Sequence, residues 1–286
     1  MNRSPVPIPL AESKFPPDHK ISIYRMVFPV VRLSETGEPL EILGSCFSIA
    51  KGGLFITAGH LFQSFSEYQS YKTTPEILRK KPVLEVESHR VGIFRIRENE
   101  DGTISNELLK VHACVIFLDF DVGFLFVYGG GINSNTPILQ VRERPKISET
   151  VKLIGYGKSK NWLEDNNGKK TYNFTLVGSN GVIIQEHENG IGNLMQYPIW
   201  ETDAQLEHGQ SGGPAIDMHT PAVLGINSGS FSSLGLNSYF SPIGKIVDVP
   251  FGVKGCSLQI KDGEKLDLEV FTLRQLATKE LLKIID

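Results

Sequence analysis

One short stretch constrains this chain more than any other: His208-Gly209-Gln210-Ser211-Gly212-Gly213-Pro214. Glycine is unfavourable inside helices and strands, so the stretch reads as a tight turn that presents a serine. By average residue usage, the five fixed letters of G-x-S-G-G-P arise by chance in roughly one chain of this length in several thousand. An idle serine is therefore a poor explanation. A serine hydroxyl is a weak nucleophile, and it needs an imidazole to take its proton and backbone N–H groups to hold an oxyanion. The imidazole candidate lies far upstream, at the end of Thr57-Ala58-Gly59-His60. A fold that uses this serine must bring those two motifs together.

The two motifs resemble those of trypsin-like serine proteases. The longer run from Thr202-Asp203-Ala204-Gln205-Leu206-Glu207 into the serine turn, and Val223-Leu224-Gly225-Ile226-Asn227 after it, are most similar to the bacterial HtrA/Deg-type branch. The resemblance covers roughly 22–250 and implies an all-β fold of two packed antiparallel β-barrels with a C-terminal helix. It implies that His60 is the general base, that Ser211 is the nucleophile, and that the N–H groups of Gly209 and Ser211 form the oxyanion hole. The third member is an acid that orients the imidazole. Asp121-Val122-Gly123-Phe124-Leu125 matches the family pattern and makes Asp121 the candidate. Asp119 lies two residues away, on the same face of a strand, and is the alternative. The resemblance also implies that Gln205, Leu206, Ile226, Asn227, Ser228 and Gly229 surround the substrate side chain. Gln205 is neutral, so cleavage after uncharged residues is expected. Gln210, also neutral, stands where zymogens of the family carry an aspartate that receives a freed amine. Lys20-Ile21 is therefore not expected to be an activation site.

The rest of the composition agrees with a protein of this kind. The 286 residues are 40% hydrophobic with 28 Gly and 16 Pro, which suits one β-rich domain. A formal charge of −3 gives no electrostatic case for nucleic acid or an anionic membrane. No run reaches the roughly 18–20 apolar residues of a membrane span. The beginning of the chain lacks the apolar core of a signal peptide, and Pro5, Pro7 and Pro9 suggest an extended arm over 1–20. The three cysteines cannot all pair, and Cys46 and Cys114 sit in apolar runs as core residues. These features favour a reducing, cytoplasmic setting. The expected partners are a protein or peptide substrate and a possible regulatory protein, with no nucleic acid or membrane. No metal or cofactor is implied: His112, Cys114, His187 and His208 lack paired ligand spacing. His208, close to the serine, reads as a loop residue or as part of the cleft wall.

Strands are expected over 21–33, 42–50, 54–57, 83–88, 91–96, 108–117 and 122–127. In the second half they are expected over 151–155, 172–177, 182–185, 215–217, 223–228 and 239–240. The peptidase domain spans 21–250, with barrel one at about 21–128, a plain linker to about 148, and barrel two at about 148–250. The extension 251–286 holds a helix with apolar positions at Leu273, Leu276, Ala277, Leu281, Ile284 and Ile285 and a capping box from Thr272 to Gln275, packed on the second barrel. It is too short for the peptide-binding PDZ domain that HtrA proteins usually append. The function expected is a serine endopeptidase. Two alternatives remain open here: a catalytically silent binding or scaffold module on the same fold, and an esterase-like hydrolase.

Overall fold

Apolar β-branched and aromatic runs broken by glycine turns become strands along most of the chain. The computed structural model describes residues 3–8, 23–73, 83–98, 104–128, 137–157, 163–164, 170–171, 174–193, 195–220, 222–230, 237–253, 255–259, 265–267 and 269–285. Lys20-Ile21 and the glycine run 129–131 lie outside the described residues.

The chain begins with β1 (Val6–Pro7), which docks on the second half of the molecule. The first half then builds an eight-stranded sheet. Its strands are β2 (Val27–Leu33), β3 (Pro39–Ala50), β4 (Leu54–Ala58), β5 (Val83–Val86), β6 (Val91–Glu98), β7 (Ile104–Lys110), β8 (Ala113–Phe117) and β9 (Val122–Phe126). The spatial order is β5-β8-β9-β4-β3-β2-β6-β7, every pair antiparallel. A short helix α1 (Ser66–Thr73) sits between β4 and β5.

The second half contains β10 (Gln140–Arg142), β11 (Thr150–Gly157), the two-residue pair β12 (Leu163–Glu164) and β13 (Lys170–Thr171), β14 (Thr175–His187), β15 (Ile199–Thr202), β16 (Pro214–Asp217), β17 (Ala222–Ser230) and β18 (Ser238–Pro242). The path β16-β11-β14-β15-β18-β17 closes on itself through β16–β17, which makes a six-stranded antiparallel barrel. The expected pair of barrels thus takes the form of one closed barrel and one eight-stranded sheet, whose ladder has no closing pair among the described residues. The remaining elements are β19 (Ser257–Gln259) paired with β20 (Lys265–Asp267), helix α2 (Leu273–Thr278) and β21 (Ile284–Ile285).

Several expected elements are redrawn. The run 108–117 is two strands, because its ladder partners change at a break. Val111 N–H bonds Val91 O on one side, and His112 N–H bonds Phe126 O on the other. His112 is therefore an exposed break residue and not a strand neighbour of Cys114. Conversely, the runs expected at 172–177 and 182–185 belong to one strand, β14. Its pairing with β11 continues through Gly178, Ser179, Asn180 and Gly181, which look like a turn in the sequence. The supposed linker contains β10, which pairs in parallel with β17 and β21.

The termini tie the halves together. β1 covers Val177 and Gly178 of β14, a part of that strand that β15 does not reach. At the C-terminal end the capping box from Thr272 to Gln275 is present, but α2 spans only Leu273–Thr278. Glu280 adopts φ 57°, which ends the helical path, and Ile284 and Ile285 continue as a strand. The extension also packs on both halves and not on the second barrel alone. Phe251 stacks on Phe124 with ring centroids 4.0 Å apart, and Lys51 N–H bonds Leu281 O at 2.8 Å. Cys46, Cys114 and Cys256 are buried and unpaired. Burial pushes the Cys46 and Cys114 thiols well above their usual range. Among the described residues, no helix is long and apolar enough to cross a membrane.

Candidate active site

The antiparallel register of β4 and β9 brings the first two candidate residues together. Ala58 pairs with Val122, so the residues just beyond the ladder, His60 and Asp121, lie side by side. His60 occupies a 3-10 turn (Gly59–Phe62), and Gly59 N–H bonds Asp121 O at 2.9 Å. Asp121 takes a left-handed backbone with φ 53°, a conformation that aspartate adopts more readily than most residues. Its carboxylate is only 4% exposed, so it must be surrounded by donors. Oδ1 accepts the His60 backbone N–H at 2.7 Å. Oδ2 faces His60 Nδ1 at 2.8 Å, Ser228 Oγ at 2.7 Å and the Tyr197 hydroxyl at 3.0 Å. Asp119, the alternative acid, is exposed.

These contacts set the charge balance. Burial alone would raise the Asp121 pKa, but the His60 charge and the hydrogen bonds from His60 and Ser228 hold it below the ordinary carboxylate value. For His60, burial acts to lower the pKa. The charge of Asp121 and its hydrogen bond outweigh that effect and hold the imidazole above its ordinary value. With Nδ1 committed to Asp121, Nε2 is the nitrogen left for chemistry.

Ser211 comes from the second half, on the turn between β15 and β16, and a narrow seam seats it. Ser45 on β3 donates its N–H to Ser211 O at 2.8 Å, and its Oγ to Gly209 O at 2.8 Å. The glycines make this approach possible. Gly212 has φ +86°, and a Cβ there would stand 2.1 Å from Ser45 O and 2.2 Å from Thr57 Oγ1. Gly209 has φ +95°, and a Cβ there would stand 2.4 Å from Tyr156 O. Gln210 is fully buried. Its Oε1 accepts Glu207 N–H at 2.7 Å, and its Nε2 reaches toward Leu153 O at 3.5 Å. The turn is therefore braced from within by a neutral side chain. Among the described residues, the N–H groups of Gly209 and Ser211 have no protein acceptor. The Ser211 hydroxyl donates to Ser228 O at 2.8 Å, and no hydrogen bond joins it to His60.

A cavity of about 490 Å³ holds both motifs, with His60 and Ser211 in its walls. Met195, Tyr197, Leu206, Glu207, His208, Ser228 and Gly229 also line it. Of the expected substrate-contacting residues, Leu206, Ser228 and Gly229 are at this cavity, whereas Gln205, Ile226 and Asn227 are not. The Gln205 side chain accepts from Ser4 Oγ at 3.0 Å, toward the N-terminal segment. Ile226 is buried in the main core, and the register shift between Asn227 and Gly229 breaks the alternation that would otherwise put it on the same face as Ser228. Asn227 is turned inward, with its Nδ2 donating to Ile154 O at 2.9 Å and reaching Gln210 O at 3.3 Å. Glu207 adds a carboxylate to the lining, which the sequence reading did not place there. His187 lies elsewhere, bonded to Glu201 at 2.7 Å.

Sequence reasoning missed Tyr197, Met195 and the seam residue Ser45. Spacing carries no sign of them, since their roles come from contacts between distant segments. The one local cue is Pro198, which restricts Tyr197 to an extended backbone.

The chain is similar to several solved structures, three of which are given. The Rv3671c protease from M. tuberculosis, active form, is 18% identical, with 78% of each chain covered and a TM-score of 0.49. The HtrA-type protease AlgW with tripeptide is 16% identical, with 79% of this chain and 59% of that one covered and a TM-score of 0.48. Deg5 is 17% identical, with 78% of this chain and 86% of that one covered and a TM-score of 0.47. No match to a curated protein was found. A family model described as the trypsin-like peptidase domain matches residues 44–226, more than half of the chain. That span takes in Ser45, His60, Asp121, Tyr197 and the whole serine turn, and the chain belongs to the trypsin-like peptidase family.

Proposed function

We propose that this serine endopeptidase works through His60, Asp121 and Ser211 and passes through an acyl-enzyme. The observation that carries the reading is the 2.8 Å contact between His60 Nδ1 and Asp121, with His60 in the wall of the cavity that Ser211 also lines. Asp121 holds the imidazole with its proton on Nδ1, so Nε2 is the free base. Ser211 Oγ attacks the peptide carbonyl and its proton passes to Nε2. The N–H groups of Gly209 and Ser211 stabilise the oxyanion, and the protonated His60 delivers its proton to the departing amine. Water then repeats the sequence against the acyl group. The Ser211 hydroxyl rests on Ser228 O, and in this mechanism it must rotate about its single side-chain torsion, between staggered wells, toward His60. Catalytic hydrogen bonds of this kind commonly tighten only once substrate is bound.

Met195, Tyr197 and Leu206 in the cavity wall support a preference for an uncharged side chain before the cleaved bond, and Glu207 in the same wall is the group that would instead draw a basic one. The buried free thiols support a reducing, cytoplasmic setting. Profiling cleavage of a peptide library, with Ser211→Ala as control, tests the proposal. Cuts after small aliphatic residues that vanish in the variant are expected. A profile dominated by cuts after Arg or Lys overturns the specificity, and cuts that persist in Ser211→Ala overturn the mechanism.

A further inference from the structure

Asp121 has a partner from the opposite half of the molecule. Tyr197 lies between β14 and β15, on the second barrel, yet its hydroxyl stands 3.0 Å from Asp121 Oδ2 and 2.9 Å from Ser228 Oγ. Ser228 Oγ is itself 2.7 Å from the same carboxylate oxygen. Three oxygens thus form a triangle containing only two hydroxyl hydrogens. Either both hydroxyls donate to Asp121, or one donates to Asp121 and accepts from the other. In every arrangement Tyr197 must keep its proton. Burial, and next the negative charge of Asp121, push its pKa far above the ordinary phenol value.

The tyrosine is held in place by packing. Ile191 and Met195 bridge the segment, and Met195, Ile199 and Tyr239 form a small buried cluster against which Ile191 and Tyr197 pack. Its ring lines the cavity that contains Ser211 and a second cavity of about 360 Å³ bounded by His60 and Asp121. The titratable groups around the cluster are His60 on the turn after β4, Asp121 before β9, Tyr68 on α1, and Glu207 and His208 on the serine side.

We propose that Tyr197 is a positioning residue: its hydroxyl fixes the Asp121 carboxylate and shares its negative charge with the His60 hydrogen bond. The proposal rests on the triad reading above. Without the hydroxyl, the carboxylate charge concentrates on the His60 bond, so His60 becomes more basic and its aim at Ser211 is less constrained.

Tyr197→Phe keeps the ring and the cavity wall and removes only the hydroxyl. With a fluorogenic peptide, kcat is expected to fall about tenfold with a smaller change in KM. The acid limb of kcat/KM should move up by roughly half a pH unit. The His60 ring titration, followed by NMR in both proteins, should move in the same direction at unchanged Tm. A rate profile and His60 titration that superimpose on those of the unaltered protein overturn the proposal. The NMR arm does not need turnover. An upward shift in a chain that cleaves nothing keeps the positioning role and rejects the catalytic reading. Turnover with an unshifted titration does the reverse.

Discussion

The two halves of the site are held in different ways. On the first sheet, the β4–β9 ladder sets His60 and Asp121 side by side, and the carboxylate is met by His60 from its own half and by the Ser228 and Tyr197 hydroxyls from the second barrel. On the second barrel, Ser211 is placed by its backbone, through Ser45 N–H and the neighbouring bonds of Gly212 and Gly213 to Asn227 O and Gln210 O. Its hydroxyl rests on a carbonyl of its own barrel. The difference follows from charge. A buried carboxylate is costly unless several donors meet it, whereas a neutral hydroxyl needs one acceptor and reorients cheaply. In the proposed mechanism the acid–base pair is thus assembled in advance, and the Ser211 hydroxyl must leave Ser228 O to meet it.

The largest effects should come from removing either half. Ser211→Ala is expected to lower kcat by on the order of 10⁴-fold or more with the fold intact, measured with a fluorogenic peptide and by circular dichroism. Asp121→Asn should also cost about 10⁴-fold, since an amide favours the wrong imidazole tautomer. Asp119→Asn, at an exposed site, should leave kcat within about twofold. A severe Asp119→Asn with a mild Asp121→Asn would reverse the assignment of the acid.

The next test is of the seam that carries Ser211. Gly212→Ala places a Cβ against Ser45 O and Thr57 Oγ1 at a positive φ, so the turn must leave the seam or the fold must yield. A loss of about 2–4 kcal/mol in urea unfolding, with little residual activity, is expected. Near wild-type stability would mean the seam is looser than the contacts indicate.

The pH dependence separates the halves more finely. Asp121 is depressed in the folded protein, so its contribution to stability is present above about pH 4 and is lost as pH falls through its folded value. His60 is raised, so its contribution is fully present below about pH 6.5 and is lost as pH rises through its folded value. Activity by the proposed mechanism has the opposite demand, because its base must be neutral. Turnover should therefore rise with pH above the ordinary imidazole range while the ionic part of the pair's stability fades. His60→Ala should flatten the alkaline side of the stability curve, and a curve identical to wild type would show that the pair is not ionic.

The smallest effect is expected at the edge of the second barrel. Arg3 meets Asp203 at 2.6 Å, but its side chain is 64% exposed. Arg3→Ala should cost no more than about 1 kcal/mol and leave kcat unchanged. A large loss of activity would show that the N-terminal segment controls the serine turn through Gln205.

What the sequence disclosed divides along the same line. The motifs around His60 and Ser211 are local strings, because tight turns need glycine at particular positions, and they were readable at once. So was the capping box at Thr272, which is a contact between near neighbours. β14 was harder, because its internal glycines imitate a turn while the ladder to β11 runs on through them. The end of α2 was also hidden: Ile284 and Ile285 keep helical spacing, but pairing with β10 draws them into a strand. The substrate-facing set was the least legible. Whether Gln205, Ile226 or Asn227 faces the cavity depends on the phase of a strand and on partners such as Ser4 and Ile154, far away in the chain. Tyr197 belongs to the same class.

The central claim is that Ser211, activated by His60, is a competent nucleophile. Labelling with a fluorophosphonate, read by intact mass and peptide mapping, tests it most directly. The account predicts a single adduct on Ser211 in the unaltered protein, none in Ser211→Ala, and labelling slowed by orders of magnitude in His60→Ala. An unlabelled wild-type chain, or an adduct that survives Ser211→Ala, would contradict it.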